Sequence, residues 1–276
     1  MNRFCIVANT EKDVGYEVAK KIKSYLELKG KQVRIVSNAD VICKEDGIHA
    51  AIVLGGDGTM IQASKTLARF QIPLLGVNLG TLGFLTEIEK NNMITVIDEV
   101  LAGDFYIQKR IALTGQAVIQ GKERAIGLAM NDFIIGKRGF GRIITMSVFV
   151  NDELVDTYVA DGILIATPTG STAYNMSAGG PILSPEMEAL IITPICPHAL
   201  NKRSIVVAAG DRIRVQVEQT RSDMKDLATI SGDGQLLSDA STGDTIEVCM
   251  AEDRIMIMKV SETGFFERMR RKLIRY

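Results

Sequence analysis

Apolar positions change their period along this chain. The first hundred or so residues alternate short apolar runs with helical spacing. Arg3 to Ala8 predicts a strand, and Asp13 to Lys29 carries Val14, Val18, Ile22 and Leu26 one helical turn apart before Gly30 stops it. Val33 to Val36 predicts a second strand and Ala51 to Leu54 a third. A helical pattern from Thr59 to Arg69 leads into a fourth strand at Pro73–Val77. Glu87 to Ala102 predicts another helix, with Ile88, Ile94, Ile97, Val100 and Leu101 as its apolar set and Gly103 as its end. Strands alternating with helices predict an α/β domain with a parallel, Rossmann-like sheet. Ligands bind such sheets beyond the carboxyl ends of the strands.

From Phe105 onward the pattern becomes extended, over 105–119, 124–136, 142–150, 153–159, 162–167, 204–209, 212–218, 227–231, 245–250 and 254–260. Turn signals such as Gln120-Gly121, Asn151-Asp152 and Gly210-Asp211 separate these runs, as in an all-β sandwich. The expected organisation is an α/β domain over 1–104, a β-sandwich-like domain over 105–260 and a C-terminal helix within 261–276 returning to the first domain. That helix, Phe265 to Ile274, sets Phe266, Met269 and Leu273 on one side, with Arg268, Arg270, Arg271 and Lys272 around the rest. The alternative for so basic a segment is a membrane-surface or nucleic-acid helix.

Composition narrows the classes. At 276 residues, 46% hydrophobic and 24% charged, the chain can bury large cores and is not disordered. A net charge of −1, from 32 basic and 33 acidic residues, gives no general attraction to nucleic acid or membrane. Phe4 to Ala8 is too short for a signal segment, and no apolar run reaches the roughly 18 residues of a membrane span, so a cytoplasmic location is expected. Cys5, Cys43, Cys196 and Cys249 form no C-x-x-C pair and are expected as buried or partly buried free thiols. With only His49 and His198, no metal site is assigned to protein side chains.

The candidate chemistry begins where the third strand ends, at Gly55-Gly56-Asp57-Gly58-Thr59. Three glycines let the backbone take positive φ and let phosphates approach, and the helix opening at Thr59 turns its N–H groups to the same space. Asp57 is a single carboxylate at the apex; the alternative is a tight turn with Asp57 as its cap. A second glycine loop, Gly80-Thr81-Leu82-Gly83, follows the fourth strand.

The most informative later stretch runs from Asp161 to Pro181. A strand delivers the chain into a loop carrying the hydroxyls of Thr167, Thr169, Ser171 and Thr172, then Tyr174 for stacking and a second glycine turn at Gly179-Gly180. Asp161 could accept hydrogen bonds from a sugar or carboxamide. Asn131-Asp132 could hold a ribose diol, or be an ordinary turn. Lys137, Arg138 and Arg142 are either a solvated hairpin tip or phosphate and ribose contacts. Ser231-Gly232-Asp233-Gly234-Gln235 reads as a turn between strands, with Gln235 as a ligand contact. No G-x-G-x-x-G follows the first strand, where Ala8-Asn9-Thr10-Glu11 stands, which disfavours a dehydrogenase.

Together these segments resemble the bacterial NAD kinases. The resemblance rests on Gly55–Thr59, Gly76 to Leu85, Asn131-Asp132, Asp161-Gly162 through Thr167–Tyr174 to Ser177–Pro181, Pro194–His198 and Asp233-Gly234-Gln235, in order along nearly the whole chain. It implies transfer of the γ-phosphate of ATP, with polyphosphate as another donor in the family, to the 2′-hydroxyl of the adenosine ribose of NAD. It implies Mg²⁺ accompanying ATP and a homodimer or homotetramer. Asp57 would be the general base, and Gly55, Gly56, Gly58 and Thr59 the phosphate cradle. Gly58, Phe84, Asn131, Asp132, Arg142, Asp161, Thr172, Ala173, Tyr174, Ser177 and Gln235 would contact NAD, with Phe84 near its adenine. Relatives usually carry Asn-Glu where this chain has Asn131-Asp132, which shortens that contact's reach. Val159-Ala160 replaces a charged residue that in some relatives affects acceptance of NADH, so NAD and NADH both stay open. The rival readings are a lipid or sugar kinase sharing the glycine turn and a non-catalytic dinucleotide sensor.

Overall fold

The computed structural model describes residues 1–80, 83–86, 88–139, 142–199, 201–220, 226–260 and 264–273. Thr81 and Leu82 of the second glycine loop, Glu87 at the expected start of a helix, and Ile274 lie outside them. The chain divides into two compact units, Met1–Arg110 with Asp253–Tyr276, and Ile111–Glu252. The first unit therefore runs past residue 104 and takes back the last strand as well as the C-terminal helix.

In chain order the first unit contains β1 (Arg3–Ala8), α1 (Glu17–Leu28), β2 (Gln32–Val36), β3 (Ala50–Gly55), α2 (Asp57–Ala68), β4 (Leu74–Asn78), β5 (Ile88–Glu89), α3 (Met93–Ala102) and β6 (Tyr106–Arg110). The second contains β7 (Leu113–Ile119), β8 (Lys122–Ala129), β9 (Asp132–Lys137), β10 (Ile144–Val150), β11 (Glu153–Ala160) and β12 (Gly162–Ala166). It continues with α4 (Tyr174–Ser177), β13 (Ala189–Ile195), β14 (Ile205–Ala208), β15 (Ile213–Val217), β16 (Leu227–Gly232), β17 (Gln235–Ser241) and β18 (Thr245–Met250). The chain then returns to the first unit as β19 (Ile255–Lys259) and α5 (Phe265–Leu273).

The first unit's sheet has the order β2-β1-β3-β4-β19-β6, with β5 on β4. Its pairs are parallel except β19 with β6. β3 and β4 are central and buried along their whole length, so they read as unbroken apolar runs. Val18, Ala19, Ile22 and Leu26 of α1 and Met93, Ile97 and Val100 of α3 pack on this sheet in one core. Helix α1 begins at Glu17, later than the spacing predicts. Asp13 caps it by accepting from the N–H groups of Val18 and Ala19 at 2.9 Å each, and Val14 stays exposed. The apolar set of the third predicted helix likewise splits, with Ile88 in β5 and the helix starting at Met93.

The second unit holds two antiparallel sheets, β11-β10-β15-β18-β7-β8 and β14-β13-β12-β9-β16-β17. One core lies between them, filled by Ile144, Met146 and Val148 of β10 and Val215 and Val217 of β15 from one side. Phe133 and Ile135 of β9, Ile163 and Ile165 of β12 and Ile230 of β16 fill it from the other. Alternate residues of each strand point inward, as a sandwich requires. Strand β13 is buried at all seven positions, because segment 167–184 folds over its outer face through Ala178 and Leu183 against Leu164, Ala166, Ile191 and Ile195. That second covered face gave β13 no polar alternation, and the sequence pattern missed it. β17, mostly exposed, was missed for the opposite reason.

Candidate active site

The glycine turn leaves β3 and enters α2 with Gly56 in extended conformation as the residue before the helix, and Asp57 in the first turn. Asp57 is therefore not the apex of a loop. Nor do Gly55, Gly56 and Gly58 take positive φ, as the sequence suggested. Gly55 is needed for space, since a Cβ there would lie 2.3 Å from Thr59 Oγ1, whereas one on Gly56 would meet the movable tip of Lys12, with Nζ 2.9 Å away. A Cβ on Gly58 would meet nothing within 4 Å, and the residue is exposed.

The half-buried carboxylate of Asp57 reaches across to the segment after β4. It accepts from the backbone N–H of Phe84 at 2.7 Å, Leu85 at 3.0 Å and Thr86 at 3.2 Å, and from the Thr86 hydroxyl at 3.3 Å. Gly83 has to be glycine for this, since a Cβ there would sit 1.8 Å from Asp57 Oδ1. The ammonium of Lys272 on α5 stands 3.9 Å from Asp57 Oδ2 and 4.2 Å from the centre of the Phe84 ring. The two glycine loops and the C-terminal helix thus meet at one carboxylate.

Two residues here escaped the sequence reading. The side-chain oxygen of Asn9 accepts from the N–H groups of Glu11 at 3.0 Å and Lys12 at 3.1 Å, while its amide donates to Thr59 Oγ1 at 3.3 Å. This turn sets the Lys12 ammonium beside Gly56. The available signal was position: Asn9 and Lys12 lie just beyond the carboxyl end of β1, where open α/β sheets bind ligands.

In the second unit, Asn131 and Asp132 are held from three directions. The Asp233 carboxylate accepts from the N–H groups of Met130 at 2.9 Å, Asn131 at 2.7 Å and Asp132 at 3.4 Å. Thr167 donates its hydroxyl to the Met130 carbonyl at 2.7 Å and its N–H to the Asn131 carbonyl at 2.8 Å. Gly170 closes the third side, where a Cβ would be 2.1 Å from the Asn131 carbonyl oxygen. Asp132 itself is buried. The segment 231–235 is indeed a hairpin turn, with Asp233 and Gly234 both at positive φ, and Gln235 is exposed on its far side. Its acid is the clasp that the sequence did not reveal.

The hydroxyl-rich loop divides its labour differently from the expectation. Thr167, Thr169 and Ser171 are buried, and the Ser171 hydroxyl bonds the Pro168 carbonyl at 2.6 Å while accepting from the Leu183 N–H at 3.0 Å. Asn175, also buried, donates to the Pro181 carbonyl at 3.1 Å and accepts from the Thr193 hydroxyl at 2.7 Å. Gly180 makes room for it, since a Cβ there would lie 2.1 Å from Asn175 Oδ1. These groups hold the loop. The outward surface is left to Thr172, Ala173, Tyr174 and Ser177, with Tyr174 46% exposed. Asp161 is paired with Lys137 at 2.6 Å, a partner the sequence offered as a hairpin-tip charge or as a phosphate or ribose contact. Arg138 pairs with Asp239 at 3.1 Å, and Arg142 is exposed.

The C-terminal helix presents a different face from the one its pattern suggested: Phe266 is 62% exposed and Arg268 is buried. All four cysteines are free, but Cys43 and Cys196 are exposed rather than buried. Among the described residues no cluster of three or more His, Cys, Asp or Glu side chains could hold a metal ion, and no helix is long and apolar enough to cross a membrane.

Comparison with known proteins covers both units. The family described as the ATP-NAD kinase N-terminal domain matches residues 8–105, and the ATP-NAD kinase C-terminal domain matches 130–260. An NAD kinase of Lachnoclostridium phytofermentans is 38% identical over 281 residues, spanning 99% of both chains. Yeast NADH kinase in complex with NADH superposes with a TM-score of 0.87 at 24% identity, over 100% of this chain and 88% of that one. An NAD kinase from Archaeoglobus fulgidus in complex with ATP gives 0.79 at 24% identity, over 97% of each. At that identity the two structures speak for the fold.

Proposed function

The chain belongs to the ATP-NAD kinase family and is a phosphotransferase, and from that premise we propose that Asp57 is the base of its reaction. The observation that carries this reading is the carboxyl side chain of Asp57 set in the first turn of α2, beside a glycine turn with open space at Gly58. The 2′-hydroxyl of the adenosine ribose of NAD attacks the γ-phosphorus of ATP. Its proton passes to the Asp57 carboxylate as the new P–O bond forms, and the bond to the β,γ-bridging oxygen breaks toward ADP. A positioned carboxylate in this role contributes about 10²–10⁴-fold in rate.

Phosphoryl transfer asks the protein mainly for positioning and charge neutralisation. The N-terminal end of α2 and the Lys12 ammonium supply positive potential at the turn, and Gly55, Gly56, Gly58 and Thr59 form the cradle for the ATP phosphates. Mg²⁺ enters as part of the Mg·ATP substrate. In the second unit, Asn131 and Asp132 hold part of the dinucleotide, and Asp161, Thr172, Ala173, Tyr174 and Ser177 line its site together with Arg142 and Gln235. Phe84 takes the adenine. NADH and ATP bound to proteins of the same fold support these ligand classes. A homodimer or homotetramer is the assembly this reading carries.

The test is direct. Purified chain is incubated with Mg·ATP and NAD, NADP is assayed enzymatically, and ³¹P NMR locates the new phosphate. A 2′-phosphomonoester that appears only with ATP supports the reading. Nucleotide binding without turnover would make the chain a dinucleotide sensor instead.

A further inference from the structure

A carboxylate offers about four lone-pair sites. At Asp57 the N–H groups of Leu85 and Thr86 and the Thr86 hydroxyl all fall on Oδ1, whereas Oδ2 accepts from the Phe84 N–H and has the Lys272 ammonium 3.9 Å away. Oδ2 is therefore the oxygen with a lone pair left for an incoming hydroxyl, and the ammonium stands close to that approach. The backbone donors belong to one contiguous segment and can move only together. Lys272 is different: its side chain is long, it is 28% exposed, and at 3.9 Å it is beyond hydrogen-bond range of Oδ2. It is the group beside Asp57 that moves at least cost. The helix does not need it in place, because Arg271 and Glu267 already pair one turn apart at 2.6 Å.

We propose that Lys272 is a catalytic residue of the phosphoryl transfer. Its ammonium lies over the Phe84 ring beside Asp57. When ATP arrives it moves onto the γ-phosphate, which uncovers Oδ2 for the 2′-hydroxyl and places a cation where charge gathers in the transition state. The inference rests on the reading of Asp57 as the base. Productive geometry puts the hydroxyl oxygen about 2.7 Å from the base and about 3–3.5 Å from phosphorus, so the ammonium has to travel only a few ångströms. Lys272 keeps its proton throughout; the hydroxyl proton goes to Asp57 and the bridging electron pair to ADP. Lys12, whose ammonium stands beside Gly56, is a second cation at the same turn.

The experiment measures NADP formation across pH by full-length Lys272→Met, Lys272→Arg and Lys272→Ala, beside the wild type and Asp57→Asn. Lys272→Met is expected to lower kcat by about 10²–10³-fold. Lys272→Arg recovers about tenfold or more of that loss, and ethylammonium restores Lys272→Ala in a dose-dependent way. The proposal is overturned if Lys272→Met keeps kcat within about threefold of wild type. It is equally overturned by a loss that neither arginine nor the amine recovers, which is what a purely structural lysine would give. If Asp57→Asn is inactive in the same series, those results remove Lys272 alone. If Asp57→Asn turns over normally, the reading of the base fails first.

Discussion

Gly58→Ala separates what the fold asks of the glycine turn from what the reaction asks of it. Gly58 is the second residue of α2, is exposed, and has no atom within 4 Å of an added Cβ. Glycine inside a helix costs about 0.5–1 kcal/mol relative to alanine, so the substitution should stabilise the first unit by up to that amount. For a unit of this size that is a rise of about 1–4 °C in thermal midpoint. If ATP phosphates occupy the open space, the same methyl group pushes them off line, and a misplacement of about 1 Å costs on the order of 10²-fold in kcat/KM for ATP. Thermal unfolding and initial-rate kinetics on one preparation give both numbers. A more stable protein with unchanged ATP kinetics would refute the phosphate cradle, because among the described residues no atom within 4 Å keeps a side chain away from this position.

Asp233→Ala should cost about 2–4 kcal/mol in urea unfolding, since it leaves the N–H groups of Met130 and Asn131 without their charged acceptor, and should raise the KM for NAD much more than that for ATP. Equal changes in both KM values would show that the clasp does not serve the dinucleotide site. Burial raises the Cys5 thiol from its ordinary 9.0 to about 12. Iodoacetamide at pH 8 should therefore label the exposed Cys43 and Cys196 well before Cys5, as peptide mass spectrometry would show. The same shift has a sign for stability. Below pH 9 the thiol is neutral in both folded and unfolded chains, and between 9 and about 12 only the unfolded chain ionises. Cys5 thus withdraws stability as pH rises through that window, and Cys5→Ser should flatten the decline.

The sheet-forming segments of the first unit were legible because β1, β3 and β4 are short apolar runs bounded by turn residues, and α1 and α3 show one apolar face each. The two strands that complete that sheet, β6 and β19, were read as part of the β-rich region, since nothing local tells which sheet an isolated strand joins. In the second unit, β13 hid behind its two buried faces and β17 behind its two wet ones. The site was legible as a set of peptides but not as roles. Composition marks Thr167, Ser171 and Asn175 as polar, and only the fold shows that they point inward to hold the loop while Thr172 to Tyr174 face out. Asp233 looked like a turn residue because it is one; its second task depends on a segment about a hundred residues away in sequence. For α5 the pattern put Phe266 inward, whereas Arg268 is buried and Lys272 reaches Asp57, contacts a nine-residue helix cannot announce by its own periodicity.

The central claim is that Asp57 takes the proton from the attacking hydroxyl. Single-turnover NADP formation by Asp57→Asn, with saturating Mg·ATP and NAD and with NAD binding measured separately on the same protein, tests it most directly. The account predicts intact NAD binding and a rate reduced by about 10²–10⁴-fold. A rate near that of the wild type would contradict it.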